Sequence, residues 1–446
     1  MLSTPASETV ELVSFDGGVA EICERWRPDR YRMIESSAGV SPRIARGGGY
    51  SYAAASFGAR STVWDMTQFD RVLGFDETAK RIEVQAGSTL ETILAVAGPK
   101  NLILPVQPGY PRITVGGCIA ANVHGKNPFL EGTFTDQVES LTLFHPRIGT
   151  VDVSRGSSPE LFYLTCGGLG LSGVILSATL RLQTIAGFAA RVERTEIRSL
   201  SEGLQAVRSM TEGSAFAYTW HDGVPHRSRF GRGFVYRGEI VPGAPYPEVR
   251  RPYRRIDAVS RGALPLSLLH RSTAGLLTRC FWTTERLKSG TVNVPLFDAL
   301  FPFARRSEYF RLFGRPGLAE AQVIVPDHQI EGFLDEIERQ VHRELPGSVM
   351  ISMKLFRGTP RLVCFEGNGV CVTLDFARTD ATSSFLRALD EMCVATGALP
   401  NVIKDSRLPM DTVRRCYPGY QEFRERLHAH DPERLFRSEL SQRLGF

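Results

Sequence analysis

Two glycine-rich segments limit what this chain can become: Arg46-Gly-Gly-Gly-Tyr-Ser-Tyr52 and Ile113-Thr-Val-Gly-Gly-Cys-Ile-Ala-Ala-Asn-Val-His-Gly-Lys-Asn127. Both set bare backbone beside hydroxyls and one basic side chain. Glycine lets the main chain take positive φ and approach a ligand closely, and successive N–H groups in such a turn form a concavity for pyrophosphate oxygens. The spacing fits neither the dinucleotide GxGxxG fingerprint nor the Walker GxxxxGK[ST] loop. Taken alone, Gly47 to Gly49 could equally be a flexible surface turn. A third segment, Cys166-Gly-Gly-Leu-Gly-Leu-Ser-Gly-Val-Ile175, weakens that alternative, because it feeds an apolar, β-rich run from Val174 to Leu182 that predicts a strand. Together the segments point to a phosphate-bearing cofactor whose reactive end lies beside His124 and Lys126.

In that order the three segments resemble the vanillyl-alcohol-oxidase-type, or PCMH-type, FAD-binding family. His124-Gly-Lys-Asn127, Lys354-Leu-Phe356, Lys404-Asp-Ser-Arg407 and Asp431-Pro-Glu-Arg-Leu-Phe436 with Ser438 are similar to its decaprenylphosphoryl-ribose 2-oxidase branch, and the similarity runs from about Glu11 to the last residue. The resemblance implies an α+β fold with two parts. A two-lobed FAD-binding domain is expected over 1–187, completed by 400–446, with a substrate domain over 188–399 built on an antiparallel sheet covered by helices. Expected FAD contacts are Arg46, Gly47, Gly48, Gly49, Tyr50, Ser51, Tyr52, Gly109, Thr114, Val115, Gly116, Gly117, Ala121, Asn122, His124, Ile175 and Asn401.

The chemistry implied is oxidation of an alcohol: hydride passes from a carbinol carbon to flavin N5 while a base takes the hydroxyl proton. Lys404 is the expected catalytic residue at the carbinol or the flavin, with Tyr52 beside the pocket. His124 would lie against the flavin or move protons, the other reading being a satisfied structural histidine. Lys126, Lys354, Gln322, Thr373 and Cys371 are expected on the substrate side. Direct counting finds six lysines among the 53 basic residues. Arginine cannot lose its proton in a protein whereas a buried lysine can be tuned, so lysines kept against this background attract attention; each is otherwise a solvated surface residue.

Some positions depart from the family pattern. Many relatives carry a histidine at the position of Tyr50 and bond it to the flavin, and a phenol cannot replace that linkage, so non-covalent FAD is expected. Thr373 stands where the branch has a pocket cysteine, Cys371 where it has an asparagine, Asn401 where it has a flavin-contacting tyrosine, and Glu320 where it has a glutamine. The sugar is therefore left open. A phosphorylated sugar, or one on a lipid or nucleotide carrier, leads, and an NAD-dependent reductase acting next would complete an epimerisation. Oxidation of free polyols or sugar lactones is the alternative, and a non-catalytic flavoprotein subunit a third.

The eight cysteines show no metal-like spacing and no apolar signal segment opens the chain, so a reduced, cytoplasmic setting without a metal is expected. Between Arg227 and Lys288, 13 Lys/Arg face 4 Asp/Glu, with Arg250, Arg251, Arg254 and Arg255 clustered and Leu264-Pro-Leu-Ser-Leu-Leu269 interspersed. This pattern suggests peripheral contact with an anionic membrane or a lipid phosphate, or a solvated loop. Without a stacking platform of aromatics it does not suggest nucleic acid. Periodicity predicts a strand at Arg81–Gln85, a helix capped by Ser88-Thr-Leu-Glu91, and amphipathic helices over Gln329–Leu345 and Ser384–Ala395.

Overall fold

The computed structural model describes residues 7–36, 42–209, 213–247, 253, 255–261, 263–269, 271–288, 290–304 and 308–446; Arg250, Arg251 and Arg254 lie outside the described residues. The chain begins with a four-stranded sheet in the order Glu8–Val13, Ala20–Trp26, Thr62–Asp65, Arg43–Arg46. Only its first pair is antiparallel. A five-stranded antiparallel sheet follows, ordered Val72–Asp76, Arg81–Gln85, Val174–Arg181, Val138–His145, Gly149–Ser154. In Arg81–Gln85 the alternation of Ile82 and Val84 with charged neighbours buries one face only, which is what a period of two requires.

The expected helix after Gly87 spans Leu90–Ala97, but its cap is one residue later than the sequence pattern suggested. Thr89 Oγ1 accepts from Thr92 N at 3.2 Å, while Ser88 Oγ is occupied by the carbonyl of Arg71 at 3.2 Å. The second glycine segment forms the short helix Val115–Ala120, and Gly116 N donates to Ala86 O at 2.8 Å. A Cβ on Gly116 would lie 3.0 Å from Ala86 Cβ, so the missing side chain is what lets helix and strand end touch. The closing residues return to the first sheet: Arg43 N donates to Leu435 O at 2.8 Å and Arg437 N to Arg43 O at 2.9 Å.

The third sheet has eight strands, ordered Gly290–Pro295, Ala189–Ile197, Gly233–Val241, Phe216–His221, Ser348–Phe356, Gly369–Ala377, Leu318–Val325, Leu399–Pro400, with antiparallel neighbours throughout. The helices Ile330–Glu344 and Asp380–Thr396 cover one face, and Ile330, Phe333, Leu334, Ile337 and Val341 join the core there with Val372, Leu374 and Phe376.

The opposite face of the same three strands is polar. Register pairs Glu320 with Asp375, Gln322 with Thr373, Ser352 with Thr373 and Lys354 with Cys371. These residues alternate with the apolar ones at a period of two, so turning Val372 and Leu374 toward the helices turns Thr373 and Asp375 away from them. A sheet buried on both faces normally reads as a nearly continuous apolar run. A buried polar face is therefore where this sheet departs from pure packing, and it positions the site.

Candidate active site

A cavity of about 1060 Å³ lies between the glycine segments and the polar sheet face. Of the site residues named from the sequence, all but Val115 and Cys371 line it. Val115 points its side chain into the core beside Ile119 and Leu90, leaving only backbone for a ligand. Cys371 is wholly buried 3.9 Å from Thr373 Oγ1, and burial pushes its thiol up to about 11. It supports the wall; Thr373 and Lys354 form the surface.

One half of the cavity is backbone. A Cβ on Gly47 would fall 2.0 Å from Thr114 Oγ1, and Gly49 adopts a φ of +78°, open to glycine at little cost. Ser51 Oγ is buried here with no hydrogen-bond partner, an orphan that a bound group would satisfy. Arg46 donates to Ser56 Oγ at 2.8 Å, and burial lowers its proton affinity to about 10. Gly170 and Ile175 of the third glycine segment close this half. Asn122 contributes only its backbone, because its amide is used elsewhere: Nδ2 donates to Glu366 Oε2 at 3.2 Å and Oδ1 accepts from Thr135 Oγ1 at 2.7 Å. Close-approach glycines, an unsatisfied hydroxyl and a buried guanidinium fit the pyrophosphate and polyol of a dinucleotide.

The other half is a network centred on Glu320. Its Oε1 accepts from Gln322 Nε2 at 2.7 Å and pairs with Lys404 Nζ at 3.1 Å. Lys404 Nζ also lies 3.6 Å from the centre of the Tyr52 ring, a cation–π contact. Burial, followed by the Glu320 charge, holds the Tyr52 phenol well above its ordinary range. Asn401 Nδ2 donates to Gln322 Oε1 at 3.0 Å, so Asn401 and Glu320 together fix which way the Gln322 amide points.

His124 places Nε2 3.2 Å from Gln322 Oε1 and Nδ1 3.0 Å from Gly125 O, with its ring edge-on to Phe356. Burial and the Lys354 charge lower its pKa to about 3. At neutral pH the imidazole is therefore uncharged, with a single N–H that can serve only one of those oxygens. Lys126 Nζ donates to Ala299 O and, at 2.8 Å, to Leu300 O, where the helix Leu296–Leu300 ends. Burial and then Lys354 lower its proton affinity strongly; burial also lowers that of Lys354.

Tyr50 sits against Tyr110, ring centres 4.9 Å apart, and burial raises its phenol. No imidazole occupies that position. Two residues of the network, Asp375 and Tyr309, were not singled out from the sequence, and Glu320 was named only as a departure from the branch pattern; Tyr309 Oη donates to Asp375 Oδ2 at 2.6 Å. The polar i, i+2 pairs Glu320/Gln322 and Thr373/Asp375 inside apolar runs were the available signal.

Residues 40–153 match the model of the FAD binding domain family, and this stretch contains the first two of the three glycine segments that line the backbone half of the cavity. The chain is an FAD-binding oxidoreductase. Over 418 residues it is 29% identical to the decaprenylphosphoryl-beta-D-ribose oxidase of Mycolicibacterium smegmatis, covering 90% of this chain and 88% of that protein. An uncharacterized protein of Streptomyces coelicolor, from the mprA 5′ region, is 29% identical over 80% of this chain and 100% of its own length. The mitochondrial L-galactono-1,4-lactone dehydrogenase of Arabidopsis thaliana is 33% identical, over 32% of this chain and 23% of that enzyme. Among the described residues of this FAD-binding oxidoreductase, no helix is long and apolar enough to cross a membrane.

Proposed function

We propose that this FAD-dependent oxidoreductase oxidises a secondary alcohol of a sugar to the ketone, the sugar bearing a phosphate or a phosphate-linked carrier. Bound FAD supplies the hydride acceptor. The glycine segments with Arg46, Ser51 and Thr114 would hold it. The observation that carries the reading is the meeting of Lys404, Glu320 and Tyr52 where the backbone half of the cavity passes into the polar sheet face.

An alcohol entering there can be oriented by the Lys404 ammonium and can pass its proton to the Lys404–Glu320 pair. Gln322, locked by Asn401, offers a fixed amide to a second hydroxyl. Lys354 and Lys126 have burial working against their charge, and an anionic ligand would relieve that cost, so the two favour a phosphate over a neutral sugar. Similarity to an oxidase named for a phosphoryl-ribose substrate supports the same class. An NAD-dependent reductase acting on the ketone would complete an epimerisation. Leu276 and Leu287, 62% and 84% exposed on the helix Arg271–Leu287, support peripheral contact with a membrane through the basic stretch 227–288.

Partial similarity to lactone dehydrogenases favours a second reading, oxidation of free polyols or lactones. Anaerobic bleaching of the bound flavin separates the two. Phosphorylated sugars should bleach it at concentrations where free sugars do not, and the reverse order would favour the second reading.

A further inference from the structure

Behind Glu320 stands a second carboxyl group that a simple lysine–carboxylate site does not need. Glu320 and Asp375 are directly opposite each other on adjacent antiparallel strands, close enough for one carboxyl group to hydrogen-bond the other if it carries a proton. They are 6% and 2% exposed. Asp375 lines the cavity; its Oδ2 receives the Tyr309 hydroxyl at 2.6 Å, but its Oδ1 is buried and receives no donor. Two ionised carboxylates cannot donate to each other, and like charges in contact inside a protein repel strongly. One proton between them removes both problems. It supplies the missing donor, and it leaves one negative charge on the pair to balance Lys404, the one cation in direct contact among the described residues.

We propose that Glu320 and Asp375 share a single proton in the resting site, so that Glu320 is the immediate acceptor of the substrate hydroxyl proton and Asp375 with Tyr309 is the positioning device that sets its readiness. This inference rests on the alcohol-oxidation reading above. In the step, the alcohol O–H bond breaks and its proton goes to Glu320. The C–H bonding pair leaves with its hydrogen as hydride to the bound FAD, and an oxygen lone pair forms the second bond of the ketone. The alcohol is oxidised by two electrons, the FAD is reduced by two, and the pair ends with two protons, one of which returns to solvent before the next turnover.

Among the described residues, the charged and titratable groups facing the pair are Lys404 from the turn after Leu399–Pro400, Tyr52 from the first glycine segment, Lys354 from the strand Ser348–Phe356, Cys371 from the strand of Asp375 and Tyr309 from the helix Glu308–Arg311. Burial and then the Glu320 charge hold the Asp375 carboxyl well above the usual carboxylate range, while the Tyr309 hydrogen bond and Lys404 oppose that.

Infrared spectroscopy of the FAD-loaded protein without substrate tests the shared proton directly. At pH 7 the wild type should show the carbonyl stretch of one buried protonated carboxyl group, and Asp375→Asn should lose it. Tyr309→Phe, a milder change, should keep the band. It should also move the acid limb of the flavin-bleaching rate to higher pH by about one unit, because the lost hydrogen bond favoured the ionised pair. Absence of the band in the wild type, or its persistence unchanged in both Asp375→Asn and Glu320→Gln, overturns the proposal. An acid limb that moves to lower pH in Tyr309→Phe does so too. Because the band is read without substrate, failure of sugar alcohols to bleach the flavin counts against the substrate reading and not against the shared proton.

Discussion

Lys404 and Glu320 form an ion pair of 3.1 Å between the turn after the strand Leu399–Pro400 and the fully buried strand Leu318–Val325 beside it. Such a pair, with Glu320 almost wholly buried, gains little net stability over an apolar substitute, since desolvation offsets most of the attraction. Its placement in the cavity lining, with the ammonium 3.6 Å from the centre of the Tyr52 ring, is better accounted for by chemistry than by folding. The pair links the two halves of the site.

The flavin should be held without a covalent bond. Tyr50 occupies the position where an imidazole link would form, and its ring is packed on Tyr110. Acid precipitation of the yellow protein should leave the colour in the supernatant; a yellow pellet would mean another residue makes the link.

Gly49 should tolerate no side chain. Its φ of +78° strains any L residue by roughly 1–2 kcal/mol, and a Cβ would sit 2.5 Å from Arg46 Nη2. Gly49→Ala is expected to weaken FAD binding about tenfold, a factor equal to about 1.4 kcal/mol, measured by fluorescence titration of the apoprotein. An unchanged dissociation constant would remove this segment from the cofactor cradle.

Stability should fall on mild acidification. His221 is fully buried, its Nδ1 2.7 Å from Gly231 O and its Nε2 without a partner. Burial lowers its pKa from 6.5 to about 4, and that of His124 to about 3. A histidine whose folded pKa lies below its unfolded one binds its proton first in the unfolded chain. Each therefore withdraws stability as pH drops below 6.5, by about 2 kcal/mol at pH 5. Urea unfolding of the apoprotein at pH 7 and pH 5 should show the loss, and His221→Gln should lose about 2 kcal/mol less between the two. An equal loss in both proteins would refute the assignment to His221.

The glycine segments were legible in the sequence because backbone freedom is written directly as residue type. The strand Arg81–Gln85 and the helix Ile330–Glu344 were legible because their burial is one-sided, and one-sided burial leaves a period. The helix cap at Thr89 was misplaced by one residue because Ser88 and Thr89 are both capping types, and only the competing carbonyl of Arg71 decides between them. Cys371 looked like a pocket residue on position alone, yet its side chain is wholly buried in the packing and does not line the cavity. The Glu320–Asp375 relationship was beyond the sequence for a different reason. It depends on the register of two strands some fifty residues apart, which no local pattern encodes.

The most direct test of the central claim is the rate of anaerobic flavin bleaching by a phosphorylated sugar alcohol in the wild type and in Lys404→Ala. The wild type should bleach, and the variant should stay yellow and fully loaded while its rate falls by about 100-fold or more, the loss typical of one charge-stabilising donor. Bleaching of the variant at the wild-type rate would contradict the account.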